Sequence, residues 1–323
     1  MHCELMIENR GRVQMPITAE GVTWTTERKG VPGKLNFTVI KDSALDFTEG
    51  NAVKFSVDGK NIFFGFVFTK KRSKEHHIDV TAYDQIRYLL NKDTYVYGNR
   101  TASELIQMIA ADFGLQTGQI DRTSFIISSR VEDNTTLLDM IYNALDLELT
   151  NRGNMFVLYD DFGRLTLKSL DSMKLNIIID EETGENFDYT STIDDSTYNR
   201  VKLSFENEET GKRDIYLMQD GNNINNWGIL QYFDKLKKGE NGEVKAAALL
   251  SLYNSKTRKL KISRAFGDTR VRGGSLVIVR LNLGDVNIQN YMVVEKVTHT
   301  FNESEHYMDL TLRGSAPGGD FIG

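Results

Sequence analysis

The chain has 323 residues, 40% of them hydrophobic and 26% charged, with a net charge of −6. That length supports two or three separately cored domains, and the composition is that of an ordinary soluble globular protein. The acidic balance leaves no basic footprint for sequence-specific nucleic-acid binding, and no apolar run reaches the roughly eighteen residues of a transmembrane helix, so no membrane insertion is expected.

Met1-His2-Cys3-Glu4-Leu5 runs straight into a strand pattern, without a charged-then-apolar leader. The single Cys3 has no internal partner, which fits synthesis in a reducing cytoplasm. Residues 1–95 read as a first β domain. Glu4–Ile7, Gly21–Thr26, Lys34–Ile40, Ala52–Val57, Ile62–Thr69 and His77–Tyr83 are rich in Val, Ile, Phe and Thr and are separated by turns such as Asp58-Gly59. Hairpin spacing of this kind predicts a small barrel or sandwich. Ile62–Phe68 is apolar on both faces, as a central strand buried on two sides would be, or as a partner surface would be.

Residues 96–185 read as an α+β insertion. Thr101-Ala102-Ser103-Glu104 is a capping-box pattern opening a helix that stops at Gly114, and Asn134 is expected to cap a second helix carrying Leu137, Leu138, Ile141 and Leu145. Met155–Tyr159 and Arg164–Lys168, joined by Asp160-Asp161-Phe162-Gly163, predict a hairpin. Residues 186–220 and 258–323 read as a second β domain, with strands over Asn199–Glu206 and Asp214–Met218, interrupted by a helical insertion at 221–257. The tail Ser315-Ala316-Pro317-Gly318-Gly319-Asp320 is small and turn-rich, expected to be loose without a partner.

The sharpest local signal is Tyr291–Arg313. Folded at Asn302-Glu303-Ser304-Glu305, it sets Phe301 opposite His306, His299 opposite Met308 and Val297 opposite Leu310, so that every large aliphatic lies on one face. A one-residue slip turns that set to solvent, which fixes the register. Asn61–Tyr83 aligns with this segment without a gap, most closely at Glu75–Thr81 against Glu305–Thr311. Gly50–Val57 likewise resembles Gly273–Arg280. Turn, strand and hairpin recurring in the same order predict two β domains related by duplication, with His76 equivalent to His306.

The sequence carries no catalytic signature. There is no GxSxG, P-loop, GxGxxG or HExxH pattern, and one cysteine with five histidines gives no zinc spacing. His299 and His306 share a face with Val, Phe and Met, which predicts packed histidines rather than metal ligands. Asp160-Asp161, Asp194-Asp195 and Asp180-Glu181-Glu182 are acidic pairs in polar surroundings, expected to be solvated, whereas a glycosidase needs one carboxyl with a pKa raised by burial. Gly273-Gly274-Ser275 precedes a strand, not the helix that phosphate binding needs. No catalytic, cofactor-binding or metal residue is assigned, and no cofactor is expected.

Trp227-Gly228-Ile229-Leu230-Gln231-Tyr232, Leu252-Tyr253-Asn254, Gly267–Ser275, and His299-Thr300-Phe301 with His306–Leu310 resemble the XkdQ/YqbQ family over essentially the whole chain. These are baseplate hub proteins of contractile phage tails and phage-tail-like bacteriocins, related in fold to the Mu late-control D protein and the T-even phage hub. The resemblance implies an α+β, mainly β protein with two tube-type β-barrel domains related by internal duplication. It implies a homotrimer that presents six similar domains and joins a six-fold tail tube, or its initiator, to a three-fold central spike. Other baseplate proteins (wedge, LysM-type or tape measure) are implied as further partners, with assembly in the bacterial cytoplasm. A trimer of −18 charge implies an acidic bore along which DNA slides. The competing readings are a peptidoglycan-degrading tail hydrolase and, through Ile62–Phe68, a wall-binding module.

Overall fold

A computed structural model describes residues 1–19, 21–72, 76–194, 196–207, 211–236, 241–282 and 287–314. The expected tail at 315–320, Asp195 and Glu75 lie outside the described residues.

The first unit is all antiparallel: β1 (Cys3–Asn9), β2 (Arg12–Gln14), β3 (Val22–Glu27), β4 (Lys34–Ile40), β5 (Ala52–Val57), β6 (Lys60–Arg72) and β7 (His77–Tyr83). They lie in the order β2-β1-β5-β6-β7-β4-β3. Alternation sends Leu5, Ile7, Leu35, Phe37, Val39, Val53 and Phe55 into one core. Asp58 and Gly59 turn β5 into β6 with φ of 48° and 74°, the left-handed pair that a two-residue hairpin loop requires. β6 is central and covered on both faces. Ile62, Phe63 and Val67 are buried in the core. Phe64, on the other face, packs 5.9 Å from Phe162, while Phe66 and Phe68 lie 5.9 and 6.0 Å from Tyr88.

A 3₁₀ helix (Gln85–Leu90) follows, then β8 (Lys92–Tyr97), α1 (Ala102–Asp112), β9 (Thr117–Ile120), β10 (Arg130–Thr136), α2 (Leu137–Arg152), β11 (Phe156–Asp160) and β12 (Leu165–Ser169). The capping box forms as expected, with Thr101 and Glu104 satisfying each other's backbone N–H groups. The second cap differs from expectation. Thr136, not Asn134, accepts from the Asp139 N–H, because Asn134 sits at φ 51° in an irregular stretch of β10. Asparagine tolerates that conformation, which leaves the threonine two residues on to start the helix.

The remaining elements are a second 3₁₀ helix (Leu170–Met173), β13 (Lys174–Ile179), β14 (Asn186–Thr192), β15 (Arg200–Asn207), β16 (Lys212–Gln219), α3 (Gly221–Trp227), β17 (Gln231–Lys235), α4 (Gly242–Tyr253), β18 (Thr257–Phe266), β19 (Leu276–Asn282), β20 (Asn287–Phe301) and β21 (His306–Gly314). Two expectations are corrected here. β15 and β16 do not join the other strands of the second unit; they pair with each other and with β17, and pack Val201 and Leu203 against Ala246 and Leu249 of α4. β13, expected within the 96–185 insertion, pairs in parallel with β19. Strand composition does not specify which sheet a strand joins.

The second unit then has the order β13-β19-β20-β21-β18-β14, and the first, without β2, has β1-β5-β6-β7-β4-β3. Numbered by sequence within each unit, both are 1-4-5-6-3-2. The match extends to single hydrogen bonds. Gly50 N–H donates to Val67 O at 2.8 Å, as Gly274 N–H does to Val294 O at 2.8 Å, and both glycines hold positive φ. The carbonyls of His76 and His306 accept from Lys41 and Gly267 at 2.8 and 2.9 Å. The gapless alignment is nevertheless three residues out in the long strand. Opposite the matching Asp79 and Asp309 stand Lys71 and Thr298, so the counterpart of His299 is Arg72 and not Thr69. A bulge after Val67 in β6 and after Val294 in β20 anchors the true register.

Candidate functional site

The two units are not separate bodies joined by a linker. β3 of the first pairs antiparallel with the second half of β20, from Val22↔Phe301 to Glu27↔Lys296, and makes one continuous sheet of both. β20 can do this because its first half pairs with β19 and only its second half reaches past that strand. Phe301, from the tip of the second hairpin, is thereby buried in the core of the first unit, 5.1 Å from Phe55.

At the centre of this seam Trp24 stacks on His299 at 4.9 Å. His299 is fully buried. Its Nε2 lies 2.9 Å from the Val271 carbonyl and its Nδ1 2.9 Å from His306 Nε2. A carbonyl only accepts, so His299 Nε2 carries the proton and Nδ1 accepts from His306 Nε2–H. Burial, then the neighbouring His306, pushes the His299 pKa down to about 3. Burial pushes His306 down to about 4. The pair is thus neutral and packed, with the one free lone pair of His299 already occupied. No group of metal-ligating side chains occurs among the described residues.

Polar contacts line the edges of the seam. Thr25 and Thr298 hydroxyls meet at 3.1 Å, Lys296 pairs with Glu27 at 3.0 Å, and Arg28 pairs with Glu295 at 2.9 Å. Gly273 N–H donates to Thr26 Oγ1 at 2.9 Å. A Cβ on Gly273 would stand 2.3 Å from the backbone carbon of Glu27, so the glycine permits this close approach. Arg272 clamps three parts of the chain. Its guanidinium lies 5.6 Å from the Trp24 ring and 4.3 Å from the Tyr159 ring, and donates to the Asp160 carbonyl at 3.1 Å.

One acidic expectation is corrected. Asp160 is not solvated: its carboxylate accepts from Gly163 N–H at 2.7 Å and Gln85 Nε2 at 2.9 Å, and burial raises its pKa. Its partner is Asp84, which the sequence did not single out although it precedes a helical Ile86-Arg87-Tyr88-Leu89 pattern. Asp84 accepts from Gly33 N–H at 2.8 Å and caps the 3₁₀ helix through Ile86 N–H at 3.0 Å. Burial first, and the Asp160 charge second, push it well above the usual carboxylate range. Asp161, Asp194, Glu181 and Glu182 are exposed, as expected.

A raised buried acid beside another carboxyl is a hydrolase ingredient, but this pair has no room for substrate. The cavity it lines, with Trp24, Tyr159 and Arg272, is ≈ 20 Å³, the space of one water. Every oxygen of both carboxylates already holds an N–H donor. The larger groove of ≈ 250 Å³ nearby contains Glu27 as its one acid, and Lys296 neutralises it. The arrangement ties the first unit, the insertion and the second unit together.

A family model described as YQBQ-like matches residues 22–313. The chain is 29% identical over 319 residues to the uncharacterized protein YqbQ of Bacillus subtilis, covering 94% of this chain and 95% of the relative. It is 28% identical over 320 residues to the phage-like element PBSX protein XkdQ of the same organism, covering 94% and 96%. The prophage MuSo2 43 kDa tail protein from Shewanella oneidensis shares the fold at a TM-score of 0.70 and 11% identity, over 96% of this chain and 98% of that one. With the match running from β3 to β21, the chain belongs to the YQBQ-like family.

Proposed function

We propose that this protein is a structural baseplate hub of a contractile tail or tail-like particle, a homotrimeric adaptor between a six-fold tail tube and a three-fold central spike. The observation that carries this reading is the pair of β units with one strand order, joined head to tail through β3 and β20. Three such chains supply six similar units, which is what a symmetry adaptor must do. The names of XkdQ, a phage-like element protein, and of the MuSo2 tail protein favour the tail setting.

The domain division that goes with this reading is a first tube-type unit over 1–83 and an α+β insertion over 84–173. A second tube-type unit follows from β13 onward, with 196–256 inserted between β14 and β18. The hub works by holding geometry and has no turnover; the buried Asp84–Asp160 pair is part of its frame. A net-negative bore lined by both units lets DNA pass without adhering. Tube, spike and other baseplate proteins are its partners, after assembly in the bacterial cytoplasm.

Counting copies tests this. In purified particles, quantitative mass spectrometry should find one chain for every two protomers of a single tube ring. One chain for each protomer refutes the adaptor. The hydrolase alternative is tested separately by turbidity of a cell-wall suspension, which should stay constant with the purified chain.

A further inference from the structure

Because five strands recur in both units in the same order and direction, with β1 and β13 alone running opposite ways against their neighbours, the internal seam has a counterpart that the single chain leaves open. The seam uses the second strand of the first unit, β3, and the outer half of the long strand of the second, β20. The unused counterparts are β14 and the outer half of β6. Among the described residues β14 pairs only with β18. β6 spends Lys60–Phe66 on β5, so no described strand lies along the outer side of Thr69–Arg72. Two open edges of this kind invite strand addition.

We infer that β14 of one chain pairs antiparallel with Thr69–Arg72 of β6 in the next, in the register of the internal seam, and that this closes the ring. The inference rests on the three-fold reading above and adds the residues that make it.

The register follows from the equivalences. β3 pairs Thr23, Trp24 and Thr25 with Asn36, Leu35 and Lys34, and β14 pairs Asp188, Tyr189 and Thr190 with the matching Lys261, Leu260 and Lys259. Tyr189 thus takes the place of Trp24, as Arg72 takes that of His299. Across the new seam Tyr189 faces Arg72, Thr190 faces Lys71, Ser191 faces Lys70 and Thr192 faces Thr69.

Each replacement is chemically sound. The Trp24–His299 stack becomes an arginine against a tyrosine ring, a favourable cation–π contact. The Glu27–Lys296 ion pair becomes Thr192 against Thr69. The Arg28–Glu295 ion pair becomes Ile193 against Phe68, so a charged pair is exchanged as a pair and neither partner is stranded. Charge also enforces head-to-tail order. The exposed Lys71 and Arg72 make the β6 edge basic, Lys70 being turned onto the Phe47 carbonyl and ring, while β14 carries Asp188 and no base. β6 against β6 would repel; β14 against β6 attracts. Phe187 of β14, 43% exposed, is the counterpart of the buried Val22 and is ready to be covered.

A disulfide tests the pairing. Arg28 N–H donates to Glu295 O, so the pairs equivalent to Thr25↔Thr298 and Glu27↔Lys296 are the close, non-hydrogen-bonded ones, within disulfide reach. In the full chain with Cys3→Ser, the pair Lys71→Cys with Thr190→Cys should link chains under oxidation, and so should Thr69→Cys with Thr192→Cys. The largest linked species should be a trimer. Lys71→Cys with Ser191→Cys, one residue out of register, should not link. Failure of both in-register pairs overturns the seam, even if the cysteine-free protein sediments as a trimer and the three-fold reading stands. Linking into hexamers or open polymers keeps the seam and overturns the three-fold reading. Equal linking by the out-of-register pair overturns the register.

Discussion

Trp24 in the second-pairing strand of the first unit and His299 near the end of the chain stack at 4.9 Å, and through that contact the two β units share one sheet and part of one core. The indole is buried and also lies beneath the Arg272 guanidinium. Truncating it removes contacts from both units at once. Trp24→Ala should cost about 3–5 kcal/mol of stability in denaturant titration, and Trp24→Phe clearly less. An equal loss for the two would show that the stack is not what holds the seam.

The buried histidine makes the seam acid-sensitive. The folded pKa of His299 lies at about 3, against an ordinary histidine value of 6.5, and His306 is depressed in the same direction. The folded state disfavours the proton. The stability contribution is therefore complete above the ordinary histidine range and is lost as pH falls from there toward about 3. His299→Gln keeps a donor for the Val271 carbonyl and removes this titration. The gap in stability between the natural protein and this variant should be widest near neutral pH and should narrow as the solution is acidified. A gap independent of pH would contradict the assignment.

Asp84 titrates with the opposite sign. Its folded pKa is raised, so folding favours the protonated acid, and stability is lost as pH climbs from the ordinary carboxylate range toward the folded value. Asp84→Asn removes the titration but leaves either Gly33 N–H or Ile86 N–H without an acceptor, at a cost of about 1–3 kcal/mol. That cost should be largest at low pH and shrink as pH rises. Neither Asp84→Asn nor Asp160→Asn should change the turbidity of a wall suspension.

The helix caps distinguish the reading of the sequence from the structure. Thr136→Ala should cost about 1 kcal/mol, since its hydroxyl caps α2, whereas Asn134→Gly should be nearly neutral because position 134 needs a positive φ. Thermal melts of the two variants check this directly.

What the sequence discloses follows the range of the interaction. The Val297–Leu310 hairpin reads out in full, because strand alternation and a four-residue loop determine it locally. So does the Thr101 capping box. The three-residue offset between β6 and β20 is hidden because it arises at the turn, Arg72 pairing with Ile78 where His299 pairs with Met308, while the bulges after Val67 and Val294 that mark the true register leave no trace in composition. Trp24 cannot be matched to His299 by any local pattern, since most of the chain separates them. Asp160 reads as a solvated turn residue, yet its turn is roofed by the 3₁₀ helix and by Arg272.

The most direct test of the hub reading is the symmetry of this component in a cryo-EM reconstruction of the assembled particle. The account predicts three chains in a closed ring, each filling two of six near-equivalent positions, with β3 against β20 within chains and β14 against β6 between them. Six chains in that ring, or a single chain, would contradict it.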